Sequence, residues 1–461
     1  MGKAIVHMTA RELLESYASK RLSPVEVVKA MFERIDAVNP TINAIYHLDY
    51  DRAMAQASAS EKRWLAGAPV GLLDGIPTTV KDALPCKDMP MYRGSAANKA
   101  EWATTDHSTV ARIKAHNAVI MGKNTMCDYG ILGGGVSSRH GVTRNPWQTD
   151  YNTGASSSGS GATVAAGMGP FAIGTDIVGS IRLPASFCGL VGHKPTQGRV
   201  PYYFPNSPAL AAGPMARNVS DAALLMRVLS EPDPRDFTAL PYDNVDYLEA
   251  LDGLDIKRKK ALYIPSLGLG PAVDTEVASA MDNAVKSLRD AGLEIAVLEK
   301  EPFATEDYKV AEAFYKIRCL TEFDTLPESD KVKSPLINNW TSTGKDMTAV
   351  ALYQAYNALQ RLRERTAQLI AGYDFLLLPT VASLPFKAEL AAADESELFH
   401  PWLYTFLFNL SQQPAASVPC GFSSHGLPIG MQIVGPRYND LEVLQLVKTF
   451  ENCRGFDLEF P

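Results

Sequence analysis

Apolar and polar positions alternate with two different periods along this chain, and the switches between them mark its elements. Thr9 and Glu12, then Ser23 and Glu26, form capping-box patterns that open two helices, with Pro24 at a favoured first helical position. The second helix is expected to stop near Val38, before Asn39-Pro40. A third, rich in Ala, Glu, Lys and Arg, is predicted from about Tyr50 to Leu65, and these three read as an outer layer. From Gly75 onward, short apolar runs alternate with helical patterns. Strands are predicted at Ile76 to Val80, Val119 to Met121, Phe171 to Gly174, Lys260 to Ile264, Leu293 to Leu298, Asp374 to Leu378 and Ile429 to Val434. Between them, Thr109 to Ala115 reads as a helix. A second helical face carries apolar residues at 277, 281, 284, 285 and 288 and ends at Gly292. Such alternation predicts an α/β architecture with helices covering a central sheet.

The length of 461 residues allows about three domains at roughly 150 residues each. No polar Gly/Ser linker, charge block or internal repeat divides the chain, however. A single domain over 1–461 is expected, with a helical layer at 1–66, a core at 67–230 and the rest of the sheet and pocket segments at 231–461. Asn338 to Asp346 and Ala391 to Glu397 read as loops.

Composition excludes several classes. A net charge of −7 without a basic stripe offers no footprint for nucleic acid or anionic lipid. The most apolar stretch, Gly161 to Gly174, is too short to span a bilayer, and Met1 to Leu14 lacks a signal-peptide core. Six cysteines show no metal spacing and mostly lie in apolar surroundings, as reduced thiols do. A cytoplasmic protein is expected. With no metal-ligand cluster and no nucleotide motif, no cofactor is expected either.

Chemistry concentrates between Asn152 and Thr196. A flexible linker there conflicts with the apolar segments it runs into, and neither G-x-x-x-x-G-K-[ST] nor G-x-G-x-x-G is present. A Ser-His-Asp hydrolase is disfavoured, because no G-x-S-x-G elbow occurs and His140 and His193 stand in no recognisable relation to the serines. A serine hydrolase with a base other than histidine remains. Bland readings stand beside it: Lys81 as a surface lysine next to Asp82, Ser180 as a helix cap near Ile181, Ser156 as turn chemistry.

Several blocks, in order, make the chain resemble the amidase signature hydrolases over most of its length. They are Gly75-Ile76-Pro77 with Val80-Lys81-Asp82, Thr143-Arg144-Asn145-Pro146-Trp147, the serine-rich centre through Gly174-Thr175-Asp176-Ile177-Val178-Gly179-Ser180, Gly213 to Arg217, Pro414 to Gly421 and Gly426-Leu427-Pro428. The resemblance implies a large mixed central β-sheet with helices on both faces. It also implies a Ser-Ser-Lys triad. Ser180 matches the nucleophile, Lys81 the terminal base, and Ser156, 24 residues before Ser180, the bridging serine that family members hold through a cis peptide. Backbone amides of Ile177, Val178, Gly179 and Ser180 would form the oxyanion hole, Asp176 and Arg182 would pair to brace it, and Ser157 would support the centre. The chemistry is coherent: a serine needs a base to take its proton, and lysine serves only when burial lowers its pKa from about 10.4.

Three departures from the family pattern stand out. Ala155 and Ser158 replace glycines. Val178 occupies a position where relatives carry Gly or Ala, so a β-branched side chain is expected to narrow the approach to the oxyanion loop. His193 is read as a satisfied histidine outside the chemistry. Aromatic clusters at Tyr202, Tyr203 and Phe204 and at Phe399, Trp402, Tyr404, Phe406 and Phe408 pack the core by default. If some line the pocket, they favour a small apolar or aryl amide over a highly charged one. The resemblance leaves two alternatives: a glutaminase-like component of a tRNA-dependent amidotransferase, and a non-catalytic homologue supported only by Val178. A homodimer rests on family analogy alone.

Overall fold

The alternating pattern becomes two adjoining sheets. The structure, a computed structural model, describes residues 4–203 and 209–461, so Phe204 lies outside the described residues. In chain order the main strands are β1 (Ile45–Leu48), β2 (Pro77–Lys81), β3 (Val119–Asn124), β4 (Phe171–Asp176), β5 (Val191–Lys194), β6 (Ala211–Ala216), β7 (Lys260–Tyr263), β8 (Glu294–Val297), β9 (Phe375–Pro379), β10 (Ala415–Phe422) and β11 (Pro428–Val434). The central sheet runs β8-β7-β9-β11-β10-β5-β6-β4, and β1-β3-β2 form a smaller one. β7 pairs parallel with β8 and β9, whereas the remaining neighbours are antiparallel, so the central sheet is mixed.

Both faces of the central sheet are covered, which explains its near-continuous apolar strands. Along β9, Phe375 and Leu377 enter one core with the helices α1 (Val219–Leu229), α2 (Thr275–Asp290) and α3 (Asp440–Cys453). Leu376 and Leu378 enter a second core with Leu183, Phe187, Tyr308 and Leu359. The period of two thus sends alternate side chains to opposite helical layers.

Of these main strands, four escaped the sequence patterns: β1, β5, β6 and β10. The last three lie next to one another in the central sheet; β6 and β10 are rich in Gly, Ala, Pro and Ser rather than β-branched residues, and β5 is the short Val-Gly-His-Lys. Close packing accounts for the composition. A Cβ on Gly213 would sit 2.1 Å from His193 O, one on Gly192 would sit 2.5 Å from Ala185 Cβ, and one on Gly430 would sit 2.6 Å from Ser186 Oγ.

Two further expectations are corrected. The helix opening at Pro24 does not stop near Val38 but runs through Pro40 to Ile42. Pro40 deprives only the carbonyl of Asp36, an exposed residue, of its partner. The Asn39 carboxamide then accepts from Ala44 N and Ile45 N, and Asn43 ends the helix at φ 55°. The expected loop at Asn338 to Asp346 is helical up to Ser342, because Pro335 starts a helix that buries Ile337 and Thr341 one turn apart.

The two sheets meet where β2 lies beside β4. Thr78 Oγ1 donates to Phe171 O at 3.0 Å. Further along both strands, the Lys81 side chain reaches Thr175. This juncture builds the site.

Candidate active site

Lys81 ends β2 with its side chain fully buried. Its Nζ donates to Ser156 Oγ at 2.9 Å, Ser157 Oγ at 2.9 Å and Thr175 Oγ1 at 2.8 Å. Among the described residues no carboxylate lies within ion-pair distance of it. Burial therefore dominates and pulls its pKa down to about 7, against the opposing pull of Cys127, Asp176 and Asp82. The adjacent Asp82 is committed elsewhere. Burial disfavours its carboxylate, but His140, the Lys123 charge, Tyr46 and the Tyr92 amide hold it below the usual range.

The serines arrive from a loop stitched down by Asn152. The Asn152 Oδ1 accepts from Gly135 N at 2.9 Å and Gly154 N at 2.8 Å, while its Nδ2 donates to Ala388 O and Leu390 O. Gly154 takes φ 68° and the Ala155–Ser156 peptide is cis. The helix α4 (Ser158–Ala165) that follows is buried throughout. Gly159 permits its approach, since a Cβ there would lie 2.4 Å from Thr125 N.

The segment after β4 closes the site. Ser157 N donates to Ser180 O at 3.3 Å, tying the two loops together. The Ser180 Oγ is buried and has no hydrogen-bond partner among the described residues, and it lines a common cavity with Ser156, Thr175 and Ile177. Asp176 and Arg182 form a fully buried pair at 3.0 Å. Burial works against the Asp176 carboxylate, yet Arg182, Lys194 and Asn409 keep it below the ordinary range. Arg182 also donates to Thr405 O, Gln432 Oε1 and Asn409 Oδ1.

This brace corrects two expectations. The Gly179 amide donates to Asp176 Oδ1 at 2.7 Å, so in this structure it is spent on the brace. Among the described hydrogen bonds, the amides of Ile177, Val178 and Ser180 donate to no protein acceptor. Val178 does not narrow the cavity, because its side chain packs into the second core and its carbonyl accepts from Thr405 Oγ1 at 2.5 Å. The left-handed demand falls on Gly179 instead, at φ 138°.

A family model described as Amidase matches residues 26–444. An acylamidase of Rhodococcus erythropolis is 32% identical, covering 97% of this chain and 95% of the relative. A glutamyl-tRNA(Gln) amidotransferase component from a Picosynechococcus strain is also 32% identical, over 98% of this chain and 99% of its own. A bacterial aryl acylamidase of the amidase signature enzymes superposes with a TM-score of 0.88 at 28% identity, covering 99% and 100% of the two chains. The chain belongs to the amidase signature family. It is a hydrolase acting on amide bonds, built on a mixed α/β fold.

Around the serines the amidase places Met126, Tyr129, Ile177, Tyr202 and Leu210, together with Arg93 and Arg318. Of the aromatic clusters, Tyr202 alone among the described members reaches this cavity. Phe399, Trp402, Tyr404, Phe406 and Phe408 are buried in the second core, where Trp402 Cδ1 would lie 3.2 Å from a Cβ on Gly179. His193 lies on β5, paired with Asp440 at 3.3 Å and away from the cavity. Thr175, Thr405, Asn409 and Gln432 escaped the sequence patterns. Thr175 stands inside the signature and was within reach. The other three come from a segment more than 220 residues later, and no local pattern marks them. Among the described residues the amidase has no group of three or more His, Cys, Asp or Glu side chains arranged for a metal, and no helix long and apolar enough to cross a membrane.

Proposed function

We propose that this amidase cleaves a small apolar or aryl amide through an acyl-enzyme, with Ser180 as nucleophile, Ser156 as relay and Lys81 as terminal base. The observation that carries this reading is Lys81: fully buried, its pKa brought down to about 7, and surrounded by hydroxyls rather than carboxylates. As a neutral amine it has one lone pair, so one hydroxyl must turn to donate. Ser156 is the hydroxyl that shares a cavity with Ser180.

Ser180 Oγ attacks the carbonyl carbon, its proton passes to Ser156, and the Ser156 proton passes to Lys81. The negative oxygen is met by the amides of Ile177, Val178 and Ser180, with the Asp176–Arg182 pair holding the loop. Collapse breaks the C–N bond. Ser156 protonates the departing nitrogen and regains a proton from Lys81, and water then hydrolyses the acyl-Ser180 ester by the same relay. Ser157 and Thr175 keep Lys81 aimed at Ser156. The apolar lining and the names of the acylamidase relatives support the substrate class.

The test is release of ammonia or amine from phenylacetamide, indoleacetamide, an anilide, biuret and glutamine, beside a Ser180→Ala control. Turnover that vanishes in the control is expected on the anilide; turnover unchanged in the control refutes the nucleophile. The equal identity to the amidotransferase component supports a second reading as a partner-dependent glutaminase. Activity on glutamine alone, gained only with companion proteins, would favour it. A non-catalytic homologue loses its support, since Val178 points into the core.

A further inference from the structure

The cavity that holds Ser180 measures about 60 Å³, and beside it lies an open groove of about 650 Å³. They share Ala83, Arg93 and Tyr129, which form the wall between them. Arg93 and Tyr129 both adopt left-handed backbone, at φ 54° and 50°. Non-glycine residues held there mark a place the surrounding structure enforces. Tyr129 N donates to Arg93 O at 2.9 Å, and the guanidinium lies 5.2 Å over the Tyr129 ring. The peptides on either side of Arg93 are captured by Asp82, which accepts from Tyr92 N at 2.8 Å and Gly94 N at 2.7 Å. The wall is thus anchored to the residue that follows Lys81. Glu322 completes it through an ion pair with Arg93.

Resting on the triad proposed above, we infer that the amidase divides its substrate at this wall. A short acyl group occupies the inner cavity, and an aryl or alkyl substituent on the leaving nitrogen lies in the outer groove. Size sets the acyl limit: a dry cavity of about 150 Å³ accommodates benzene, so about 60 Å³ suits an acetyl group and not a benzoyl group. Direction follows from the proton. The leaving nitrogen must face Ser156, and Ser156 Oγ would stand 3.1 Å from a Cβ on Gly130, the residue next to Tyr129 in the wall. The nitrogen therefore faces the groove, and the acyl group rests against Ile177, Tyr202 and Leu210. The groove presents Met91, Tyr92, Tyr203 and Leu326, apolar or aromatic faces suited to an aryl amine, and Arg235 stacks 4.3 Å over Tyr203. Glu322, which also reaches Arg318 at 3.7 Å, holds the Arg93 guanidinium in place over Tyr129. For acetanilide, Ser180 Oγ bonds to the acetyl carbon, the C–N bond breaks, the relayed proton goes to nitrogen and aniline leaves through the groove. Water then releases acetate.

The full-length protein should be assayed on two series. Acetamide, acetanilide and N-(2-naphthyl)acetamide enlarge the amine; acetanilide, butyranilide and benzanilide enlarge the acyl group. kcat/KM is expected to hold or rise along the first series and to fall by about tenfold or more at each step of the second. Tyr203→Ala should lower the acetanilide-to-acetamide ratio of kcat/KM by about tenfold. Ser180-dependent hydrolysis that prefers benzanilide to acetanilide, or tolerates no N-substituent, overturns the division and leaves the triad standing. Absence of Ser180-dependent hydrolysis across both series overturns the triad and the division together.

Discussion

The two ends of the central sheet are made of different residues. β7 and β9 carry Leu, Phe and Tyr, and Phe375, Leu376, Leu377 and Leu378 are all fully buried. β4, β5 and β6 each carry a glycine, at 174, 192 and 213, where a Cβ would strike a neighbour at 2.7 Å or less, and β6 is mostly alanine besides. Large side chains hold helices at full distance and gain stability from buried area. Small residues let backbone approach backbone, so that Ser156, Ser157 and Thr175 crowd around one lysine, with Ser180 across the same cavity. The first end is built for stability, and the second accepts a buried lysine with hydroxyl partners for the sake of its chemistry.

Mutation can break this division of labour, and the largest effect is expected at Ser180. Ser180→Ala should lower kcat by about 10³-fold or more. Its Oγ makes no hydrogen bond, so the thermal midpoint should stay within a degree or two of the wild type's, roughly the scale of neutral changes. Lys81→Met belongs beside it: turnover should be lost while stability changes little, because an apolar chain relieves the burial of the amine while three hydroxyls lose a partner. A marked drop in stability there would show that the serine end also bears the fold. Leu377→Ala is the mirror case. It should cost about 2–5 kcal/mol in denaturant unfolding with kcat nearly unchanged.

Gly213→Ala, with its Cβ 2.1 Å from His193 O, should cost about 1–3 kcal/mol through overpacking rather than a cavity. An unperturbed Gly213→Ala would mean that the strands spread apart cheaply. The smallest effect concerns protons. The base is the neutral amine, and the Lys81 pKa sits low, at about 7. kcat/KM should therefore climb about tenfold per pH unit below 7 and level off above it. A profile still rising at pH 9 would place Lys81 in an ordinary solvated state.

Legibility in the sequence followed the same divide. At the apolar end, β7, β9 and β11 were readable to within a residue or two, because their side chains themselves carry the burial. At the small-residue end, β5 and β6 were invisible to strand propensity, yet the signature around Ser156 and Ser180 was the most readable chemistry in the chain. Tight packing removes the side chains that announce a strand and leaves glycines and serines at fixed spacing. The role of Gly179 was misjudged for a related reason. Its presence is legible, but the direction of its N–H depends on the Asp176 carboxylate three residues earlier. Val178 was misjudged likewise, since its rotation toward the second core depends on Thr405.

By itself the sequence determined the α/β class, the capped helices at the start of the chain and the order of the signature blocks, because these are set by residues near one another. Tertiary structure alone decided that Lys81 has hydroxyl neighbours and, among the described residues, no carboxylate partner, that Thr405, Asn409 and Gln432 reach back to Arg182, and that Arg93 and Tyr129 line both a small cavity and a large groove. The physical reason is that a pKa, the aim of an amide hydrogen and the size of a cavity depend on what burial brings together across hundreds of residues.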